Sequence, residues 1–441
     1  MIGTFGAFGA LPEGYGEHIG RIEEWREIYA GRPPWGHIKK SGLYGKGDRR
    51  IAQLGCAKVL CESLSGLTFG TQADIRCADE RQREFILDVL QYNGFWENMP
   101  AFFSRAYALG GGVIRAYESG GEIVLDYMGA DQFIPLSASH GRVDGGIFVG
   151  TVYRDGKRYE LAERHIGDVI ERALFHNGKR CDVKEVTGLD EVSTRDSAGF
   201  AYFRPAIADP DGQSLFGMSA FAGCTDTLRA IDTVFDSFTR EFILGRKRII
   251  VPSSCIRTVV DPDTGRVCRY FDTDDEVYQA LKCDEDRDLK ITDNTAELRV
   301  DEHIDALNAL LDILCFQTGL SAGTLSFNAS GLKTAAEIRS METRTEITMQ
   351  QERALAAELI ESVAVIICRI GEHMGLIRPT ERVHAVFSDR QTADSSELID
   401  RNIKLVEAGL RSPVRAVMEI DDCTEEEAVS RIGSEVMKEG S

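Results

Sequence analysis

The chain has 441 residues, 43% of them hydrophobic, and its 51 Lys and Arg against 71 Asp and Glu give a formal net charge of −20. A chain of this length can hold about three domains with real cores. The acidic balance argues against a general nucleic-acid coat, which needs cations to neutralise phosphates, but not against a protein past which DNA slides without sticking.

No apolar run approaches the ~20 residues of a membrane span, and Met1 to Gly20 lacks a basic start with an apolar core. A soluble, intracellular chain with no membrane association is therefore expected. Its 11 cysteines are scattered without C-x-x-C, so reduced and mostly buried thiols are expected.

Residues 1–47 are rich in Gly and aromatics and read as a flexible arm with aromatic anchors, packing on its own chain or on a neighbour. No G-K-[ST] follows these glycines, so they do not form a phosphate loop. Asp48 to Leu64 reads as a helix with Asp48 as N-cap, Glu80 to Tyr92 as a second and Trp96 to Leu109 as a third, closed by Gly110, Gly111 and Gly112. From Val113 to about Thr187, short β-prone runs alternate with Asp155-Gly156 and Asn177-Gly178 turns, which predicts an antiparallel meander. Its last run is DVKEV.

A connector, Tyr202 to Gly217, precedes a long helix over Met218 to Leu244. Phe221, Leu228, Phe235 and Phe242, interleaved with Cys224, Ile231 and Phe238, form a heptad seam there, with Asp226, Arg229, Asp232, Asp236 and Arg240 elsewhere on the helix. Gly245 suits its end, and Arg246, Lys247 and Arg248 suit the negative end of the helix dipole or, equally, DNA phosphates. Ile249 to Val260 and Val267 to Phe271 read as strands, and Ile304 to Thr318 as a helix. A Gly/Ser/Asn loop from Gly319 then leads to a proline-free helix, Thr334 to Met374, about 60 Å long at ~1.5 Å per residue. Thr334 and Glu337 fit a capping box. Arg339 to Arg353 is mostly polar and Ala354 to Ile370 apolar nearly all round, so the helix reads as half exposed to a groove, channel or subunit and half buried. Val383 to Phe387 reads as a strand, and Ser395 to Glu407, Ser412 to Met418 and Thr424 to Met437 as short helices.

No catalytic constellation is visible: the histidines are isolated, and there is no HExxH, G-x-S-x-G or kinase set. Asp261-x-Asp263-x-Gly265 departs from a calcium loop and reads as a hairpin turn. Asp284, Glu285, Asp286 and Asp288 read as a solvated surface loop. No metal, cofactor or catalytic residue is expected.

The order of parts resembles the portal proteins of tailed bacteriophages, of siphophage and prophage type. The resemblance is carried by TLRAIDTVFDSFTREFILGRKRIIVP (Thr227 to Pro252), similar to that family's first stem helix, and by GLSAGTLSFNASGLKTAAEIRSMETRT (Gly319 to Thr345), similar to its tunnel loop and following helix. It implies an α+β fold of portal type, with a helical stem, a very long tunnel helix, a β-rich wing, a small β-containing clip and a helical C-terminal crown. The parts would be an arm over 1–47, the wing over 48–217, the stem helix over 218–248, the clip over 249–299 and the return helix over 300–318. The tunnel loop would take 319–333, the helix joining channel to wing 334–376, and the crown 377–441.

The resemblance further implies a ring of twelve copies at a capsid vertex of the virion, assembled in the host cytoplasm, through which double-stranded DNA is packaged and ejected. The terminase large subunit, a head-tail adaptor, and capsid and scaffolding proteins would be its partners. It would hydrolyse nothing itself. Asn328, Ser330 and Lys333 of the loop, with Arg246, Lys247 and Arg248, would contact the DNA. Glu337, Arg339, Glu342, Arg344 and Glu346 on the polar half of the long helix are candidates for the subunit interface. Two other classes fit less of the pattern: a helical scaffold or adaptor forming dimers or trimers, and a metal-dependent nuclease using the carboxylates at 284–288.

Overall fold

The computed structural model describes residues 6–9, 11, 14–42, 45–139, 142–210, 215–244, 249–250, 257–260, 267–270, 292–293, 297–327, 335–387, 395–421 and 428–429. They form a mixed α+β structure that divides into two compact units, residues 1–70 with 76–384, and residues 71–75 with 385–441.

Within the N-terminal arm, residues 15–29 form a helix. α1 (Tyr15–Tyr29) forms despite Gly16 and Gly20 because one face, Ile19, Ile22, Trp25 and Ile28, is buried, which outweighs the glycines' poor helix propensity. His18 stacks on Phe216 with ring centroids 4.1 Å apart, and the Tyr29 and Ser104 hydroxyls are 3.0 Å apart. Tyr15, Trp25 and Tyr29 of the arm therefore pack on the same chain.

The helix expected over Asp48 to Leu64 is corrected. Residues up to Arg50 form a ribbon of β1 (His37–Gly42) and β2 (Gly45–Arg50), and α2 (Cys56–Phe69) starts only after Gly55, whose φ of 73° no β-branched or bulky residue adopts cheaply. In the second unit, β3 (Ala73–Arg76) pairs with a strand from far down the chain. α3 (Glu80–Tyr92) has the expected bounds, and Asp79 caps it by accepting from the Arg81 and Gln82 N–H groups. α4 (Phe95–Leu109) runs to Gly110, at φ 79°. α2 and α4 share a core of Leu60, Cys61, Leu64, Met99, Phe103 and Tyr107, where the Phe103 ring lies 4.5 Å from both Phe69 and Phe203.

The expected meander divides into two sheets. β4 (Gly112–Ser119) and β5 (Glu122–Gly129) form a hairpin completed by a later strand, whereas β6 (Phe133–Ser139), β7 (Arg142–Arg154), β8 (Lys157–Ile166), β9 (Val169–His176) and β10 (Lys179–Cys181) form an up-and-down sheet. A 3-10 turn, Ala130–Gln132, breaks the run between them. The turns follow the sequence: Asp155 (φ 51°), Gly156 (70°), Asn177 (50°) and Gly178 (75°) all take the left-handed backbone that two-residue hairpins require. DVKEV is a correction, being not a strand but α5 (Val183–Thr187), nucleated by Asp182, which accepts from the Glu185 N–H. β11 (Val192–Thr194) joins β9, and β12 (Ala198–Phe203) completes the three-stranded sheet beside β4.

A buried ionic network ties the two sheets. Glu163 on β8 accepts from Arg172 Nε on β9 at 2.5 Å and from Arg115 on β4, while Arg115 also donates to Asp126 on β5 at 2.7 Å. Glu163 is only 4% exposed. Burial pushes its pKa up, but Arg115 and Arg172 outweigh burial and hold it below the ordinary carboxylate value.

The next helix starts later than expected. Residues Ala222–Cys224 form a 3-10 turn before α6 (Thr225–Leu244). The heptad seam is buried at Phe221, Cys224, Leu228 and Ile231, but Phe242 is 45% exposed. Short strands β13 (Ile249–Ile250), β14 (Arg257–Val260), β15 (Val267–Tyr270) and β16 (Thr292–Asp293) pair as β13–β16 and β14–β15, the latter joining Val260 to Val267 as the expected hairpin. The turn at 261–266 and the acidic residues at 284–288 lie outside the described residues.

α7 (Val300–Gln317) returns antiparallel along α6, with Arg299 donating to Glu241 at 2.8 Å and His303 Nε2 3.2 Å from Ser237 Oγ. α8 (Ala335–His373) is unbroken over 39 residues, about 58 Å at ~1.5 Å per residue. Its final two turns cross β12 at Gly199, where a Cβ would come within 2.8 Å of Ile366, and Arg369 donates to the Ala198 carbonyl at 3.0 Å. In the second unit β17 (His384–Phe387) pairs with β3, and α9 (Ser395–Glu407) is joined to α10 (Pro413–Asp421). Thr334 of the expected capping box and most of the last expected helix lie outside the described residues.

Candidate functional site

The loop after α7 is fastened rather than free over its first part. Gly319, at φ 78°, closes the helix while the Leu320 N–H turns back to the Cys315 carbonyl at 2.9 Å, an arrangement that satisfies carbonyls the helix end leaves open. Thr348 on α8 donates to the Gly319 carbonyl at 2.7 Å, and the Ser321 N–H donates to Thr345 Oγ1 at 2.8 Å. On the other side the Gly323 N–H reaches Asp312 Oδ1 at 2.7 Å and the Phe327 N–H reaches Asn308 Oδ1 at 3.0 Å. Residues 319–327 are therefore stitched between α7 and α8. The surface here is unusually apolar: Phe316 is 67% exposed, Phe327 57%, Ile347 52% and Ile313 46%. Large apolar side chains gathered on one face mark a contact surface.

A second constellation was invisible to periodicity. Asp232 and Asp236, one turn apart on α6, are both buried and face the segment that follows β2. Asp232 accepts from the Trp35 indole N–H at 2.9 Å and from the Leu54 N–H at 3.0 Å. Asp236 accepts both guanidinium N–H groups of Arg49, at 2.7 and 2.8 Å, and the Ala52 N–H at 3.0 Å. Burial raises the pKa of Asp232, whereas the hydrogen bond from Arg49 lowers that of Asp236. Beside this latch lies a groove of about 840 Å³ lined by Arg49, Arg50, Arg240, Ile51, Leu54 and Ile243, among others.

Farther along α8, Met349, Glu352 and Arg353 are the first buried residues among its described side chains, a turn before the apolar half starts in sequence. Glu352 accepts from the Ala206 N–H at 3.0 Å and the Tyr107 hydroxyl at 3.2 Å, with Thr68 Oγ1 2.9 Å from that hydroxyl. Arg353 donates to the Thr68 and Leu67 carbonyls, both at 3.3 Å. Burial pushes the Glu352 carboxyl up to about 6, against the pull of its two donors. Because its folded pKa lies above the ordinary 4.5, the native chain binds more protons than the unfolded chain between those values. This group's contribution is thus complete below about pH 4.5 and declines as pH rises through 6, by roughly 2 kcal/mol in all. Glu352→Gln keeps an acceptor for Ala206, so it is expected to flatten the pH–stability curve between pH 4.5 and 6 and to raise the thermal transition at pH 7. Curves of equal slope for the two proteins would refute the assignment.

The candidate residues distribute as follows. Arg344 is exposed and lies over the Phe316 ring, 4.5 Å from its centroid, so it stands at the apolar junction of α7 and α8, and Glu346 is half-buried. Glu337, Arg339 and Glu342 belong to the α8 backbone, with side chains outside the described residues. Asn328, Ser330, Lys333, Arg246, Lys247 and Arg248 lie outside them altogether. Among the described residues no group of three or more His, Cys, Asp or Glu is placed to hold a metal ion, and no helix is long and apolar enough to cross a membrane. Cys56, Cys61, Cys224, Cys315 and Cys368 are buried free thiols, and Cys77 and Cys181 are partly exposed ones.

Comparison with known proteins adds the following. A chain in the structure of the virion of a native gene transfer agent particle is similar over 83% of this chain and 88% of its own, at 12% identity and a TM-score of 0.42. A chain in the neck of an empty gene transfer agent particle, computed with C6 symmetry, is similar over the same shares at 14% identity and a TM-score of 0.43. No curated protein matches the sequence. Residues 10–436 match the family described as Phage portal protein, SPP1 Gp6-like. With nearly the whole length matched and the α+β fold in place, the chain belongs to the SPP1 Gp6-like family of phage portal proteins.

Proposed function

We propose that the chain closes into a ring, of twelve copies in the virion, at one capsid vertex, and that double-stranded DNA passes through the ring during packaging and ejection. The observation that carries this reading is the family match over residues 10–436. In this assignment α6 and α7 form the stem, residues 249–299 the clip, 319–333 the tunnel loop, α8 the helix from channel to wing, 48–217 most of the wing, and 377–441 the crown. The stitched junction of α7, loop and α8, with its exposed Phe316, Phe327 and Ile347, supports it as a surface made to be covered. Arg344, over the Phe316 ring, stands at that junction, and the proposed contact runs on through Glu337, Arg339, Glu342 and Glu346 of the same helix.

The charge of −20 per copy gives the channel a wall that repels phosphate and keeps DNA mobile. Lys333, with Asn328 and Ser330, and the cluster Arg246, Lys247 and Arg248 supply local, salt-dependent contacts to that DNA. The chain has a structural role and hydrolyses nothing; a terminase large subunit supplies the drive. A head-tail adaptor and capsid and scaffolding proteins complete the partners.

Native mass spectrometry and negative-stain images of the purified protein test the ring. Rings of twelve, or of a neighbouring symmetry such as thirteen, are expected, and a dimer or trimer alone would sink the reading in favour of a scaffold. Neutralising Lys333, Arg246, Lys247 and Arg248 together is expected to weaken DNA retention in packaged particles, and unchanged retention removes those residues from the channel.

A further inference from the structure

We propose that the basic groove beside α6 is the socket for the acidic first turns of α7 of the next copy in the ring. This rests on the ring reading and specifies which two surfaces meet. The groove is basic and apolar, with Arg50 exposed, Arg240 half-buried and Ile243 60% exposed. Arg49 is committed to Asp236, which Arg240 also reaches electrostatically; we assign exposed Arg50, with Arg240 beside it, as the cations that meet the partner. Asp301, Glu302 and Asp305 are exposed on α7, which contributes no residue to the groove. Farther along the same stripe come Ile313 and Phe316, also exposed.

The placement of these two surfaces is what selects a second copy as the occupant. Identical subunits close a ring only through two different patches that meet head to tail. Copies related by rotation alone keep every residue at its own height along the axis, so a patch and its socket must stand level. Here they do. The contacts of Arg299 with Glu241 and of His303 with Ser237 set the start of α7 abreast of the last two turns of α6, which is the part that carries Arg240 and Ile243. Asp301 and Glu302 also suit the positive end of the α7 dipole, but Asp305 lies beyond the first turn, where the dipole gives no such support. The unlike charges of the two surfaces fix orientation and register, while like-charged alternatives are penalised.

The test is a charge exchange on the full-length chain. Arg50→Glu with Arg240→Glu is expected to lower the ring fraction at least about ten-fold at fixed protein concentration, read by native mass spectrometry. Glu302→Arg with Asp305→Arg is expected to do the same. Mixing the two variants, or combining all four changes in one chain, is expected to restore rings, with even-numbered rings from the mixture, because each reversed patch then meets a reversed socket. Circular dichroism of each variant reports its fold. Rings from the groove variant at the wild-type level would overturn the proposal, and so would losses that neither mixing nor the fourfold exchange repairs. If the unmodified chain itself forms no ring, it is the portal reading that fails, and the groove assignment falls with it.

Discussion

Glu163→Ala is expected to cost roughly 3–5 kcal/mol of stability, because it leaves the Arg115 and Arg172 guanidiniums facing each other without their shared carboxylate. Burial sets the size of this effect. Glu163 is 4% exposed and Arg172 9%, so water cannot replace the lost acceptor as it would on the surface. Arg115 keeps Asp126, and Arg172 keeps the Ser193 hydroxyl at 2.8 Å and the Asp190 carbonyl at 3.0 Å, which limits the loss but leaves the central charge missing. The comparison residue is Glu160 on the same strand, 3.9 Å from Arg158, with side chains 31% and 58% exposed. Its replacement by Ala is expected to change stability by less than about 1 kcal/mol. Thermal and urea unfolding of the purified protein distinguish the two, and equal shifts would show that the network contributes little.

Gly217→Ala carries the second large effect, about 3 kcal/mol or more, at the upper end of what overpacking costs. A Cβ at this position would stand 1.9 Å from the Gly110 carbonyl oxygen. That neighbour is backbone and cannot rotate away, and Gly110 is itself held at φ 79° at the end of α4. The contact is reciprocal, since a Cβ on Gly110 would stand 2.6 Å from the Gly217 carbonyl oxygen. Three residues on, the Ala220 N–H donates to the Tyr107 carbonyl at 2.8 Å, so a displacement at 217 disturbs the lead into α6. Gly223, with nothing within 4 Å of its added Cβ, is the control, and Gly223→Ala is expected to be near neutral. A Gly217 variant that melts with wild type would mean the crossing relaxes freely.

Much of this fold could be read from local chemistry, because local chemistry made it. α3 starts where Asp79 caps it, and the hairpins turn at Asp155-Gly156 and Asn177-Gly178 because those residues tolerate a left-handed backbone. The segment before α2 misleads by the same logic. Ile51 and Leu54 are spaced as on a helix, yet the Ile51 N–H goes to the Gly36 carbonyl and the Leu54 N–H to Asp232, partners too far along the chain for periodicity to report. Asp232 and Asp236 were likewise placed away from the seam, as carboxylates on a helix usually are; their burial depends on Trp35 and Arg49, nearly 200 residues earlier. α1 was hidden by its glycines and becomes legible only once Phe216 and Ser104 are seen beside it. The long helix was readable in extent and in its two halves. The burial of its charged pair Glu352 and Arg353 was not, because Tyr107, Ala206 and Thr68 come from elsewhere.

That helix has a mechanical consequence. α8 is continuous from Ala335 to His373 and contains no proline, and its single glycine, Gly371, lies in the last turn. Sharp bends in helices arise at proline, at glycine–serine pairs or where the hydrogen-bond ladder is interrupted, so nothing in its middle invites one. It is clamped at one end by the packing around Ile360, Ile367 and Ile370 and pinned once more through Thr345 and Thr348. A sideways push on its first turns is therefore borne as leverage at the clamp rather than absorbed along the rod.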